Sequence, residues 1–552
     1  MADRFAAPDY GVLAALVVFV VASIALAVYA QRATQKGSFL SSYFLGNRGL
    51  GAWALALTAT VQSGGTFMGY PALVYSHGWI VGLWIASYMV VPITGFGLLA
   101  KRLAQLSRRS GAITVPDLFR ERFDSPAAGV VSSLLIIVFM TFMMVAQFKA
   151  GASIMKVVWP NAAVAVDAAD GTAPATDLKA EATSKSATTG GLSHDQFLFY
   201  LGLVLFTITV VGYTMVGGFL AAVWTDLFQS VLMWLGVMLL LGLSMYQLGG
   251  IGNLTPGAVA QTSPQFAYGP GYSTDGRQFL TPGLAFSVFF VWVFGGLGQP
   301  ASLVRLMACK DTQTIRRSVL LLAVYNSMIY LPLIFICMAA RAAMPTVPVA
   351  DEVIPRMALW TTRDLPGGSL LAGLILVAPF GAVMATVSSY LIVIASGLVH
   401  DVYQRFINPK ATERQLQSWT YAVMVLVGIV AIVANLKPVA YLQAIVVFCG
   451  SSCASSFAVP ALMTAFWRRA TAPGVIAAML AGAGMSLTLL VLGSLCMDDQ
   501  MLGPKTNFRS YYLLGLEPIV WGLLASAITG VVVCLCTRPP SAKRIAWLFD
   551  AA

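Results

Sequence analysis

Apolar residues run along this chain in thirteen long, nearly uncharged stretches. They lie at about 10–31, 49–74, 79–100, 126–158, 197–216, 222–249, 279–304, 318–340, 367–399, 417–436, 438–467, 471–496 and 511–537. Each is roughly 20 residues or longer, enough to cross a bilayer core as a helix. The pattern predicts an all-α polytopic membrane protein of about 13 transmembrane helices, numbered here as spans one to thirteen. Span one, Tyr10 to Gln31, is followed rather than preceded by basic residues (Arg32, Lys36), which predicts a retained helix and not a cleaved signal.

Two spans are interrupted by polar and small residues. Span two carries Thr-Ala-Thr-Val-Gln-Ser-Gly-Gly-Thr-Phe-Met from Thr58 to Met68, and span seven carries Phe294-Gly-Gly-Leu-Gly-Gln-Pro300. Buried backbone in lipid has to satisfy its own hydrogen bonds, so such breaks are tolerated where they line a cavity. Close helix packing through small residues is the alternative use of glycine. Breaks five spans apart point instead to a transporter built from inverted repeats. The expected organisation is a peripheral first helix and loop (1–48), a first repeat of spans two to six (49–249), a second of spans seven to eleven (279–467), and peripheral spans twelve and thirteen with a short tail (468–552). Residues of about 159–196, rich in Ala, Thr, Ser and Asp, read as a flexible external insertion within the first repeat.

Composition narrows the classes. The chain is 58% hydrophobic and 10% charged, with a mean hydropathy of +0.80. The net charge of +11 could suggest nucleic acid, but its placement speaks for topology. Loops at 32–48, 101–122, 305–317, 405–414, 468–469 and 538–544 fall on one side and hold 21 of the 33 Lys and Arg. The positive-inside rule makes that side cytoplasmic, with the amino terminus outside and the carboxyl terminus inside. Seven cysteines in or beside apolar runs read as small hydrophobes, and three scattered histidines (His77, His194, His400) speak against a metal centre.

Four blocks in chain order carry a resemblance. They are Tyr43-Phe-Leu-Gly-Asn-Arg48; Gly212-Tyr-Thr-Met-Val-Gly-Gly-Phe219 running into Ala222-Val-Trp-Thr-Asp226 and Gln229; Gly298-Gln-Pro300 with Val304-Arg305 and Ala308-Cys-Lys-Asp311; and Ala378-Pro-Phe-Gly-Ala-Val-Met-Ala-Thr386. Together they resemble the sodium:solute symporter family over nearly the whole chain, most like its sodium/pantothenate branch. The resemblance implies sodium as coupling ion, held by carbonyls of Ala59 and Gln62 at the first break and by the Ala382 carbonyl and Thr386 hydroxyl on span nine. Uncharged oxygens suit a hard cation in a membrane. Ala385 stands where the family has a second hydroxyl, so water or the nearby Ser388 or Ser389 would have to complete the shell.

Asp226 is implied in sodium release toward the cytoplasm, or else it complements the amino terminus of span six. Substrate contacts are expected from Ser63, Gly64, Gly65 and Thr66 and from Trp292, Gly295 and Gln299, with Trp292 and Phe294 equally readable as bundle filling. Lys149, deep in span four, is either an anion contact or a structural group. The basic cluster after span seven, Arg305 included, reads as a topology anchor.

The expected function is sodium-coupled symport of a small carboxylate-bearing solute, pantothenate foremost, by a monomeric unit in the bacterial inner membrane. The rival for the solute is the same fold carrying acetate, another monocarboxylate or proline, and the rival for the ion is a proton. A membrane sensor would carry a signalling domain, and the stretch after Cys536 is too short for one. An enzyme reading finds no acid/base pair or oriented nucleophile.

Overall fold

The computed structural model describes residues 10–34, 43–44, 51–59, 63–159, 193–262, 264–269, 280–438, 442–496 and 508–550, and among them there is no strand. Eleven helices are long and apolar enough to cross a membrane, or twelve if one bent pair is a single span. Thirteen were expected. The difference lies in the run Gly65–Ser110, a stretch of 46 residues that takes in the end of predicted span two and all of span three. Gly78 (φ 79°, ψ −150°) interrupts it. A straight helix of that length would reach about 69 Å, more than twice a hydrocarbon core.

Local chemistry fixes the helix starts. Helix α1 is Gly11–Thr34 and α2 is Ala52–Ala59. A π-helical turn at Gly65–Gly69 leads into α3 (Tyr70–His77), and α4 spans Gly82–Val91. Helix α5 (Lys101–Ser110) precedes α6 (Val115–Phe123), where the Thr114 hydroxyl accepts the Asp117 amide. Helix α7 (Pro126–Val158) starts from a Ser125 cap. Helix α8 runs His194–Gln247 from a capping box in which the Ser193 hydroxyl and Gln196 amide exchange bonds with the backbone. Residues 160–192, most of the predicted external insertion, lie outside the described residues, and its last residues are already helical.

Predicted spans five and six are the two halves of α8, divided at Gly218 (φ 61°, ψ −165°). A Cβ there would lie 2.6 Å from the Tyr43 ring, so only glycine fits both the dihedral and the space. The Tyr43 hydroxyl donates to the carbonyls of Thr214 and Met215 at 3.4 Å, partnering oxygens beside the kink.

Span seven is two helices, α9 (Pro282–Gly298) and α10 (Pro300–Met307), bent by 42°. Then follow α11 (Thr312–Ala343), α12 (Val353–Thr362), α13 (Gly368–Ser396) with a π-helical extension Gly397–Ile407, α14 (Glu413–Ala434), α15 (Leu442–Phe466), α16 (Ala472–Leu495) and α17 (Pro518–Cys536). Burial separates centre from edge. In their most apolar windows α13 with its extension and α15 are 83% and 78% buried, whereas α1 and α17 are 28% buried. Helix α13 packs on α1, α7 and α8, and α15 on α7, α9 and α16.

Most of the basic loops meet at one end of the bundle. Arg544 pairs with Asp124 at 2.9 Å, Arg109 donates to the Leu548 carbonyl at 2.7 Å, and Arg405 pairs with Asp117. Arg108 reaches the carbonyls of Cys309 and Lys310. Two arginines assigned to loops are not at the surface. Arg122 is 1% exposed between the Phe123 and Phe549 rings, and Arg305 is 3% exposed inside the bundle.

Candidate functional site

The two breaks face one cavity. Ser63, Gly65 and Thr66 line it from the first, and Trp292, Gly295 and Gln299 from the second. At the first break the chain leaves α2 at Ala59 and resumes helical bonding with the Thr66 and Phe67 amides donating to the Ser63 carbonyl at 2.9 and 3.2 Å. Gly64 does not line the cavity. It lies behind it, its amide donating to Gln147 Oε1 at 2.7 Å, and a Cβ on it would fall 2.5 Å from that of Ala150. At the second break Gln299 is extended (φ −79°, ψ 117°) and Pro300 opens α10. Gly298 lets this turn touch α15, since a Cβ there would sit 2.7 Å from Ala454 Cα.

Hydroxyls and rings knit the wall. Thr66 Oγ1 and the Tyr330 hydroxyl are 3.0 Å apart, and Gln299 Nε2 donates to the Tyr390 hydroxyl at 2.6 Å. The Tyr88 ring centroid lies 4.7 Å from that of Trp292 and 4.4 Å from that of Tyr330. No charged side chain lines the cavity among the described residues. Four buried polar atoms of lining residues have no hydrogen-bond partner there: Trp84 Nε1, Trp292 Nε1, the Tyr70 hydroxyl and Gln443 Oε1. Buried polar groups are ordinarily paired, so three donors and an acceptor left open mark a place for a polar guest.

Of the oxygens assigned to sodium, those of Ala382 and Thr386 lie on α13 and that of Ala59 at the end of α2. The Thr386 hydroxyl donates to the Ala382 carbonyl at 2.9 Å, so the two oxygens are neighbours within one turn. Ala59 ends α2, and Gln62 lies outside the described residues. The Ala385 carbonyl accepts both Ser388 Oγ at 3.0 Å and Ser389 Oγ at 2.8 Å. Asp226 is 2% exposed and pairs with Arg305 Nη2 at 2.6 Å, and the same nitrogen donates to Ser389 Oγ at 2.8 Å. Asp226 is therefore not in the first turn of a helix. It lies more than a turn beyond the Gly218 kink, and its partner is a buried guanidinium, not a helix terminus. Arg305 is correspondingly a tie between α8, α10 and α13 and not a surface anchor.

Comparison with known proteins fixes the family. The pattern of the sodium:solute symporter family matches residues 43–163 and 196–482. The chain belongs to the sodium:solute symporter family. It is 28% identical over 508 residues to a sodium/pantothenate symporter of Haemophilus influenzae, covering 91% of this chain and 94% of the relative. It is 26% identical to the sodium/pantothenate symporter of Escherichia coli, covering 94% and 95%. It is also 26% identical to an osmoregulated proline transporter of Bacillus subtilis, covering 94% of each chain. The fold matches the substrate-bound, outward-open structure of a Na+-coupled sialic acid symporter with a TM-score of 0.66 at 18% identity, covering 97% of this chain and all of that one. The chain is thus a membrane transporter of small solutes with sodium as its coupling ion, and not an enzyme.

In this symporter the intramembrane lysine has a partner of its own. Lys149 is 5% exposed, pairs with Asp351 at 2.5 Å, and does not line the cavity. Asp351 also accepts the Leu442 amide at 3.3 Å. Burial raises its carboxyl above the usual range, with the Lys149 charge and hydrogen bond opposing. Beside it Lys156 bridges Glu352 (3.1 Å) and Asp195 (3.0 Å), and Arg356 caps Glu352 at 2.6 Å. The sequence showed Lys149 but not its mate, which comes from a loop 202 residues on. Lining residues Tyr70, Trp84, Tyr88, Tyr330, Tyr390 and Gln443 were also missed. An aromatic in an apolar span has the same signature whether it faces core or cavity, and Gln443, a lone amide near the start of span eleven, was the one local clue.

Proposed function

We propose that this symporter imports a small carboxylate-bearing solute together with sodium by alternating access, and that pantothenate is the solute to test first. The observation carrying this reading is the uncharged cavity joining both breaks, with Trp84, Trp292, Tyr70 and Gln443 offering unpaired polar atoms. A molecule with an amide, hydroxyls and an apolar body matches such a wall better than an inorganic ion does. The carboxylate is assigned to the Gly65 amide at the start of the second half-helix, whose present acceptor is the Ser63 hydroxyl at 3.1 Å. Two sodium/pantothenate symporters among the relatives favour the same choice.

Sodium sits between Ala59, Gln62, Ala382 and Thr386, where it orders the first break for substrate. Asp226 then receives the ion on the inner side once Arg305 lets go. The organisms of the relatives favour a bacterial inner membrane, and the clustered basic loops favour an amino terminus outside and a carboxyl terminus in the cytoplasm. Both breaks and all the sodium oxygens belong to one chain, which supports a monomeric functional unit.

Proline is the second reading, since a neutral cavity also accepts a zwitterion and the proline transporters are comparably similar. Uptake of radiolabelled pantothenate into proteoliposomes under a sodium gradient, competed with unlabelled pantothenate, proline and acetate, decides between them. Competition by pantothenate alone supports the first reading; labelled proline accumulating where pantothenate does not would overturn it.

A further inference from the structure

At the end of the bundle where the basic loops meet, far in sequence from either break, three metal-ligating side chains come together. Asp117 on α6 and His400 and Asp401 on the π-helical extension of α13 bring ligand atoms within 4.8 Å of one another. Each is 4–5% exposed. The surroundings orient them as an outer shell orients ligands. Thr114 Oγ1 donates to both Asp401 oxygens at 2.9 and 3.0 Å, and the Ile113 amide donates to Asp117 Oδ2 at 3.1 Å. His400 Nδ1 bonds Gln404 Oε1 at 2.7 Å.

That last bond carries the argument. A ring donating from Nδ1 to an amide oxygen presents, when neutral, the lone pair of Nε2. His400 Nε2 has no hydrogen-bond partner among the described residues, yet it faces Asp117 Oδ2 at 3.6 Å. A lone pair opposed to a carboxylate is unfavourable unless a proton or a metal cation lies between them. The separation is long for a direct hydrogen bond. It is close to the roughly 3.3–3.5 Å that two ligands adopt around a tetrahedral ion with bonds of about 2.0–2.1 Å.

We infer that Asp117 Oδ2, His400 Nε2 and an Asp401 oxygen form a binding site for a divalent transition metal of the zinc class, with its fourth position open to water. A small cavity lined by Asp117, Asp401, Arg405 and Arg120 reaches the cluster and supplies an access path. Arg405 donates to the other Asp117 oxygen, and it and Arg120 are the cations among the described residues lining that cavity. An imidazole among three ligands suits Zn²⁺, Co²⁺ or Ni²⁺ better than Ca²⁺ and Mg²⁺, which take oxygen shells. Occupancy joins α6 to the helix that carries Ala382 and Thr386.

The test is equilibrium dialysis of tag-free protein against buffered Zn²⁺ at neutral pH, with bound metal counted by mass spectrometry, and a parallel Co²⁺ titration read by visible absorption. Wild type is expected to hold one zinc more than His400→Ala and to give a Co²⁺ ligand-field band that His400→Ala lacks. His400→Cys should retain the metal and add a thiolate-to-cobalt charge-transfer band, a gain that misfolding cannot produce. Thr114→Val should weaken binding about tenfold. Equal zinc in wild type and His400→Ala, or a His400→Cys spectrum without thiolate ligation, would overturn the site and leave the imidazole as a protonated partner of Asp117.

Discussion

Ala385 is the residue on which the proposed sodium site turns. Its side chain offers no oxygen, its carbonyl is committed to Ser388 and Ser389, and Ser389 also accepts Arg305. A serine at 385 would add a hydroxyl one residue from Thr386. Ala385→Ser is therefore expected to lower the half-saturating sodium concentration about tenfold, equivalent to roughly 1.4 kcal/mol of ion binding. Thr386→Ala should raise it by a similar factor, with both read from sodium-dependent substrate binding. Lys149 and Asp351 offer a second residue-scale test. Removing one member strands a buried charge, so Asp351→Asn or Lys149→Met alone should destabilise by about 3–5 kcal/mol, while Lys149→Met with Asp351→Leu should come near wild type. Because burial raises the folded Asp351 carboxyl, its contribution is present in full below the unfolded pKa and falls as pH rises through the folded one. Thermal unfolding in detergent should therefore decline more steeply with rising pH for wild type than for the double variant. None of this partnering was legible from residue types: Lys149 was visible as an anomaly, but Asp351 reads as an ordinary loop acid, and Ser388 and Ser389 reveal nothing of where their hydroxyls turn.

At the scale of elements, the breaks in spans two and seven were legible because the reason for them is local. Gly-Gly among hydroxyls and Gly-x-Gly-Gln-Pro cannot continue an apolar helix without loss, whatever surrounds them. What those breaks face is not local, and so the tyrosines of the cavity stayed hidden. The kink at Gly218 shows the intermediate case: Gly-Gly was present in the sequence, while the Tyr43 ring that makes it obligatory arrives from far along the chain. Gly298 gives the test at this scale. Its would-be Cβ meets the Ala454 backbone and not a flexible side chain, so Gly298→Ala must push α9 and α10 away from α15. A cost of about 1–3 kcal/mol is expected, with substrate affinity falling more than thermal stability does because the displaced segment carries Gln299. Unchanged binding would mean that this break is packing and not site.

For the whole molecule, the proposed orientation rests on the distribution of charge. Several of the loops predicted to share a face do meet, through Arg544–Asp124, Arg109–Leu548 and Arg405–Asp117. The count by loops nevertheless included Arg122 and Arg305, which are buried, because a sequence window cannot tell an arginine at a helix end from one folded into the bundle. Energetics then constrain coupling. A tenfold sodium gradient is worth about 1.4 kcal/mol, and one charge moved through about 100 mV is worth about 2.3 kcal/mol. One sodium with one monocarboxylate moves no net charge, so the potential would add nothing unless a second cation accompanies them. The most direct measurement is uptake of radiolabelled pantothenate by proteoliposomes under an inward sodium gradient and, separately, an inward potassium gradient, each with and without a membrane potential, for wild type and Thr386→Ala. Accumulation driven by sodium alone, with the variant needing more sodium for the same rate, is the predicted result. Uptake that is equal in potassium, or that follows a pH gradient and ignores Thr386, would contradict sodium coupling at this site.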